Sequence, residues 1–427
     1  MRLSTSQIFS SNLAGYQKDY ADLAKTQLQI SSGNRIQTPS DDPAGSAQLV
    51  RLGQQQAQLT QYSSNMTTAT NSLTQEESVL DSVNSNLQRA RTLAISAGDG
   101  SLSDDDRSAI ADELDQIQQQ LVSLMNTKDA NGNYLFSGSK GNVQPFVQNN
   151  ADGSYSYQGD QNTLSLQVAD SLYISSNDNG WSVFGAASNA SQTQTSLTVN
   201  PGTDGAQRVY LSQGVITDDS TYSSEFTGDS NAPYTVKIIS ATEYQIKDQA
   251  GNDVTSEATG TYDATDSSAA TISFRGMQFS ITTDLQDGDD SSAVAGYEFK
   301  LEKASDAQTQ NILNTIGQLR DALNTPVTDT QSQVDLQDTI ASSLSNLTNG
   351  MDQVSQTISS IGSRINSLDT LTEENQSLAL ANTNTQSSIR DTDLAEAAST
   401  LTLQQTVLEA AQASFVKIAQ LSLFDKL

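Results

Sequence analysis

Seven residues spaced by seven, Leu52, Leu59, Met66, Leu73, Leu80, Leu87 and Ala94, form an apolar row that only a long α-helix can place along one side. Tyr62, Ala69, Val83 and Ala90 fill the interleaved positions, and Glu76 alone breaks the pattern. Running from Ser46 to Gly98 at ~1.5 Å per residue, such a helix reaches roughly 80 Å. A compact globule has no use for it, so the row predicts an elongated architecture.

Comparable rows lie at both ends of the chain. Phe9, Leu13, Tyr16, Tyr20, Leu23, Gln27 and Ile30 follow a 4-3 spacing that predicts an amphipathic first helix over 4–31, stopped by Gly33 and the Pro39 to Gly45 stretch. A helix after Asp104-Asp105-Asp106, with Ile110, Leu114, Ile117, Leu121 and Leu124 as its stripe, is expected to end near Asn131-Gly132-Asn133. Ile312, Ile316, Leu319 and Leu323 open another that Pro326 interrupts. Ile340, Leu344, Leu347, Met351, Val354, Ile358, Ile361, Ile365 and Leu368 then give an unbroken coiled-coil pattern. The last helix opens at Asp393, with Glu396 three residues on, and carries Leu394, Ala397, Leu401, Gln404, Leu408, Ala411, Phe415 and Ile418. The sequence is apolar through Leu421-Ser422-Leu423-Phe424 to Leu427.

Between the arms the punctuation changes, with 16 of the 25 Gly falling between Gly132 and Gly296. Alternation in Leu164 to Val168 and in Tyr234 to Ile238, with turn signals at Asp152-Gly153, Asn179-Gly180, Gly251-Asn252 and Asp287-Gly288, predicts antiparallel β structure. Nine of the 13 Tyr and the only Trp, Trp181, lie in this stretch, as strand formers and core fillers or, alternatively, as a carbohydrate-binding platform. The fold class expected is therefore α+β multidomain: a coiled-coil-like helical rod from both chain ends with an inserted antiparallel β domain. Residues 1–45 with 390–427 form terminal helices, 46–138 with 304–389 a helical rod core, and 139–303 an outward β domain large enough for two subdomains.

The chemistry on offer is narrow. Among 427 residues there is no Cys and no His, which removes Ser-His-Asp and Cys-His catalysis, His or Cys zinc sites and disulfides. With 50 acidic against 21 basic side chains the formal net charge is −29, which argues against nucleic acid and anionic membranes as partners. No apolar run is long enough to span a bilayer, and the Met1-Arg2-Leu3-Ser4 start lacks the apolar core of a secretory signal. Carboxylates are the only catalytic material, but Asp41-Asp42, Asp104-Asp105-Asp106 and Asp393 all precede apolar-periodic segments and read as helix starts. Asp284, Asp287, Asp289 and Asp290 crowd one loop without Ca²⁺-loop spacing. A carboxylate enzyme in the middle domain stays open as a rival, because its two acids need only converge in space. No cofactor, metal or catalytic residue is assigned.

Ser31-Ser32-Gly33-Asn34-Arg35-Ile36, followed by Pro39-Ser40-Asp41-Asp42-Pro43-Ala44-Gly45, resembles the N-terminal signature of bacterial flagellins and their relatives. Ile389-Arg390-Asp391-Thr392-Asp393-Leu394-Ala395-Glu396 resembles the matching C-terminal signature. The Pro-Ser-Asp-Asp-Pro form, the Asn131 to Gly138 segment and the Leu421-Ser422-Leu423-Phe424 ending are more similar to the hook–filament junction branch than to filament flagellin. The resemblance covers roughly residues 1–140 and 305–427 and fades between them. It implies a non-enzymatic flagellar subunit, exported without a cleaved signal and handed over by an export chaperone, that forms a ring with its own copies between hook-associated protein 1 and flagellin. A flagellin that builds the filament itself is the alternative.

Each helix needs partners, because ordering its backbone costs about 1–2 kcal/mol per residue and its Ser, Thr, Asn and Gln add little intrinsic helicity. For the outermost two helices one mutual contact leaves apolar surface over. Phe9, Leu13, Tyr16, Tyr20, Leu23 and Ile30, with Leu394, Leu401, Leu408, Phe415 and Ile418, are the expected subunit-assembly surface.

Overall fold

The computed structural model describes residues 5–202, 206–229, 232–265, 270–285, 290–304 and 308–424. Helices α1 (Thr5–Ser32), α2 (Pro43–Ala97) and α3 (Asp104–Met125) come first. A one-turn α4 (Asp219–Thr221) lies among the strands, and α5 (Ile312–Leu323), α6 (Thr330–Arg390) and α7 (Leu394–Phe424) follow them. Two compact units divide the chain: Met1–Thr67 with Gln167–Leu172 and Leu368–Leu427, and Thr68–Leu166 with Tyr173–Ser367.

The helix boundaries follow from local chemistry. Asp42 caps α2 by accepting the Gly45 N–H at 2.9 Å, and Pro43 takes the first helical position, where its missing N–H costs nothing. Ser103 and Asp106 form a reciprocal capping box at the start of α3. That helix ends at Met125 with Asn126 as its cap, not near Asn131-Gly132-Asn133. There Asp129 accepts the N–H groups of Asn131 and Asn133, both at 2.8 Å, and folds the segment into a turn instead.

The seven-residue row of α2 is buried from Leu59 to Ala94, together with Ala69, Val83 and Ala90. On α6, Ile340, Leu347, Val354, Ile361 and Leu368 are buried, while Leu344, Met351, Ile358 and Ile365 are half-buried. In the second unit α3 packs on α5, where Gln118 donates to the Leu313 carbonyl at 2.7 Å and Arg320 pairs with Asp115 at 2.9 Å.

The same unit holds the larger sheets. Strands β1 (Phe146–Gln148) and β2 (Tyr155–Tyr157) form one hairpin, and β3 (Ser165–Ala169) and β4 (Leu172–Ser175) another. The remaining strands are β5 (Thr193–Val199), β6 (Val209–Leu211), β7 (Val215–Ile216), β8 (Tyr234–Ile238), β9 (Tyr244–Lys247), β10 (Ala270–Phe274), β11 (Met277–Thr283) and β12 (Glu298–Lys303). They pair as β5-β12-β8-β9 and as β10-β11-β6 with β7 also on β11; every register given by their paired residues is antiparallel. Alternate residues of β8, namely Tyr234, Val236 and Ile238, enter one core with Ile272, Phe274, Phe279, Ile281, Phe299 and Leu301 from both sheets. Tyr222, Tyr234 and Tyr297 are fully buried, as core fillers should be. Trp181 and Tyr173 are not: both are exposed, and Trp181 sits in a helical turn, Trp181–Gly185, that follows the Asn179-Gly180 break.

Candidate functional site

In the first unit α1 packs against α7. Tyr16, Leu23 and Ile30 of α1 and Leu401, Leu408 and Ala411 of α7 are half-buried, and Ala397 and Thr26 are buried. Gln412 of α7 reaches the Tyr16 hydroxyl at 3.2 Å.

The base of this pair is made by the two signature segments. Gly33 adopts φ 69°, a left-handed conformation that frees the chain from α1. Its carbonyl accepts the Thr392 N–H at 2.9 Å, the Arg35 N–H donates to the Arg390 carbonyl at 2.6 Å, and Asn34 and Asp391 form an antiparallel bridge. The Arg35 guanidinium donates to the Ile389 carbonyl at 2.7 Å. Asp41 closes the turn, accepting the Thr38 and Gln37 N–H groups at 2.8 and 3.1 Å and pairing with Lys25 at 2.7 Å. The Lys25 ammonium and those N–H groups hold its carboxyl well below the usual range. Motifs separated by some 350 residues in sequence are thus one physical joint.

Away from the pair's contact, large apolar side chains face solvent. Tyr20 is 59% exposed, Leu28 60% and Leu403 64%, and Leu13, Leu394, Val407 and Val416 are exposed as well. The expected assembly set therefore divides in two. Tyr16, Leu23, Ile30, Leu401 and Leu408 are largely taken up by the α1–α7 contact, whereas Leu13, Tyr20 and Leu394 point outward. The side chains of Phe9, Phe415, Ile418 and the closing 421–427 segment lie outside the described residues. Leu28, Leu403, Val407 and Val416 were missed because they fall off the 4-3 seam; the signal for the three on α7 was that this helix is apolar on more than one face.

Carboxylates of the second unit line two cavities. A cavity of about 790 Å³ is lined by Asp218, Glu225, Asp229, Glu257 and Arg275. Arg275 takes Asp229 at 2.5 Å and Glu257 at 2.6 Å, and Asp218 caps α4. In a second cavity burial pushes the Asp338 carboxyl up to about 6 while it accepts the Gln213 N–H at 2.7 Å. Its neighbours Asp335 and Asp321 hold Gln331 and Arg320, at 2.8 Å each. Of the loop acids, Asp284 accepts the Thr330 hydroxyl and Asp290 caps a short turn, while Asp287 and Asp289 lie outside the described residues. Among the described residues no group of three or more acids is placed to hold a metal, and no helix is long and apolar enough to cross a membrane.

Residues 3–141 match the bacterial flagellin N-terminal helical region. That stretch, which holds α1, α2 and α3, is thus similar to the helical region of flagellins. The more particular likeness is to flagellar hook-associated protein 3. The Salmonella typhimurium protein of that name is 41% identical over 168 residues, 39% of this chain and 52% of that protein, so the chain spans about half the length of the curated relative it matches. The crystal structure of the flagellar junction protein FlgL from Legionella pneumophila shares the fold, with a TM-score of 0.58 at 24% identity over 80% of this chain and 100% of that one. A flagellin from Clostridium tyrobutyricum matches less well, 32% identical over 158 residues, 35% of this chain and 42% of that protein.

Proposed function

We propose that this chain is a structural subunit of the bacterial flagellum that stands at the hook–filament junction and assembles through α1 and α7. The observation that carries the reading is that these helices pack on each other, half-burying Tyr16, Leu23, Ile30, Leu401 and Leu408, and still present Tyr20, Leu28, Leu394, Leu403 and Val407 to solvent. Exposed apolar area of this kind marks a protein–protein surface. Neighbouring copies in a ring, hook-associated protein 1 on one side and flagellin on the other are the occupants the reading assigns. The chain would leave the cell through the flagellar export apparatus, without a cleaved signal, after release from an export chaperone. Residues 1–45 with 390–427 serve assembly, 46–138 with 304–389 the rod core, and 139–303 the outward face. The higher identity to hook-associated protein 3 than to flagellin favours the junction over the filament itself.

A deletion strain tests this. Hooks without filaments, with flagellin lost to the medium, are expected. Normal filaments in the deletion strain would overturn the assignment, and long filaments grown from the purified chain on seeding would move it to flagellin.

A further inference from the structure

Glu76 stands on α2 where Ala69, Val83 and Ala90 stand in the neighbouring heptads, and like them it is buried, at 1% exposure. A carboxylate there would face a steep desolvation cost unless matched by a cation. The match is incomplete. The Asp178 N–H donates to Glu76 Oε1 at 3.2 Å. Arg364, on α6, is the cation whose charge acts on the group, and its guanidinium is already engaged by the Asp178 carboxylate and the Ser175 carbonyl; the Lys128 ammonium, from the loop after α3, is spent on the Tyr134 ring, 4.5 Å from its centre. A cavity of about 220 Å³ beside Glu76 brings Asp129 and Tyr134 from the loop after α3, and its described lining holds neither Lys nor Arg. Two acids therefore share one base inside a contact that joins α2, α6 and the Ser175–Gly180 segment.

We propose that Glu76 is a proton-linked latch: protonated, it seats the Ser175–Gly180 segment on α2 and α6, and ionised, it loosens that seat. Burial, reinforced by the Asp178 charge and only partly opposed by Arg364, pushes the carboxyl well above the usual range. In the unfolded chain the same carboxyl ionises near pH 4.3. Between those two values the folded state binds the extra proton, so stability from this group is complete at low pH and falls as pH rises, until the buried carboxyl itself ionises.

The test compares the full chain with Glu76→Gln, by denaturant unfolding and amide exchange from about pH 5 to about pH 9. Glutamine keeps the shape and an acceptor but cannot ionise. The wild type should lose about tenfold in its folding equilibrium per pH unit relative to Glu76→Gln within the window. Amides of 176–180 should open with rising pH in the wild type and stay protected in the variant. Parallel stability profiles, with a constant offset at every pH, would overturn the latch and leave Glu76 a structural side chain only. Should Glu76→Gln fail to fold, infrared spectra of the native chain decide: a protonated buried carboxyl band at neutral pH, lost only on alkalinisation, supports the latch, and its absence at neutral pH overturns it.

Discussion

Single carboxylates mark where α2 and α7 begin. Asp42 gives its Oδ1 to the Gly45 N–H, and Asp393 does the same for Ala395 and Glu396 at 2.9 and 3.2 Å, so each satisfies donors that a helix start leaves open. Replacing Asp42 by Ala should cost about 1 kcal/mol, read as a lower unfolding midpoint with unchanged secondary structure. These caps were legible in sequence because cap and helix are neighbours. The Arg275-Gly276 turn was not. Both residues adopt positive φ, 48° and 79°, to close the β10–β11 hairpin, and a Cβ on Gly276 would collide with the Tyr222 N and the Asp218 O. Those partners lie more than 50 positions away, and no local pattern announces them. Arg35 illustrates the same limit, since its motif could be recognised but its bond to the Ile389 carbonyl could not be.

At the scale of elements, the seven-residue spacing became a buried row on α2 from Leu59 to Ala94 and on α6 from Ile340 to Leu368. What spacing of apolar residues hides is a row that continues in polar ones. Asn375 and Asn382 follow Leu368 at successive sevens on α6, and both are buried. Asn375 donates to the Leu59 carbonyl and Asn382 to the Leu52 carbonyl, each at 2.9 Å, so residues seven apart on α6 meet residues seven apart on α2. A polar side chain inside an apolar seam trades stability for a fixed register. Asn375→Leu with Asn382→Leu should therefore raise the melting temperature while admitting pairings slipped by one heptad. Because the chain has no Cys, spin labels on paired single cysteines can read this cleanly: one distance in the native chain, more than one in the double variant.

For the whole molecule, composition takes on a location. Residues 139–303 hold 21 acidic and 7 basic side chains, a net −14 of the total −29, which suits a domain that stays soluble beside copies of itself. The helical arms and the β insertion were legible because periods of seven and of two are properties of the sequence. The division of the terminal seams was not, since which face of α1 meets α7 and which stays free depends on how the two helices rotate about each other. That division sharpens the assembly claim. Leu401 and Leu408 are half-buried, so charging them should disrupt the α1–α7 pair itself, whereas Leu403 and Val407 are free to meet a neighbour. The most direct measurement is complementation of the deletion strain with Leu403→Asp plus Val407→Asp. A chain with unchanged circular dichroism that leaves hooks bare of filament and flagellin in the medium is expected; filaments of normal number and length would show that this face of α7 is not used in assembly.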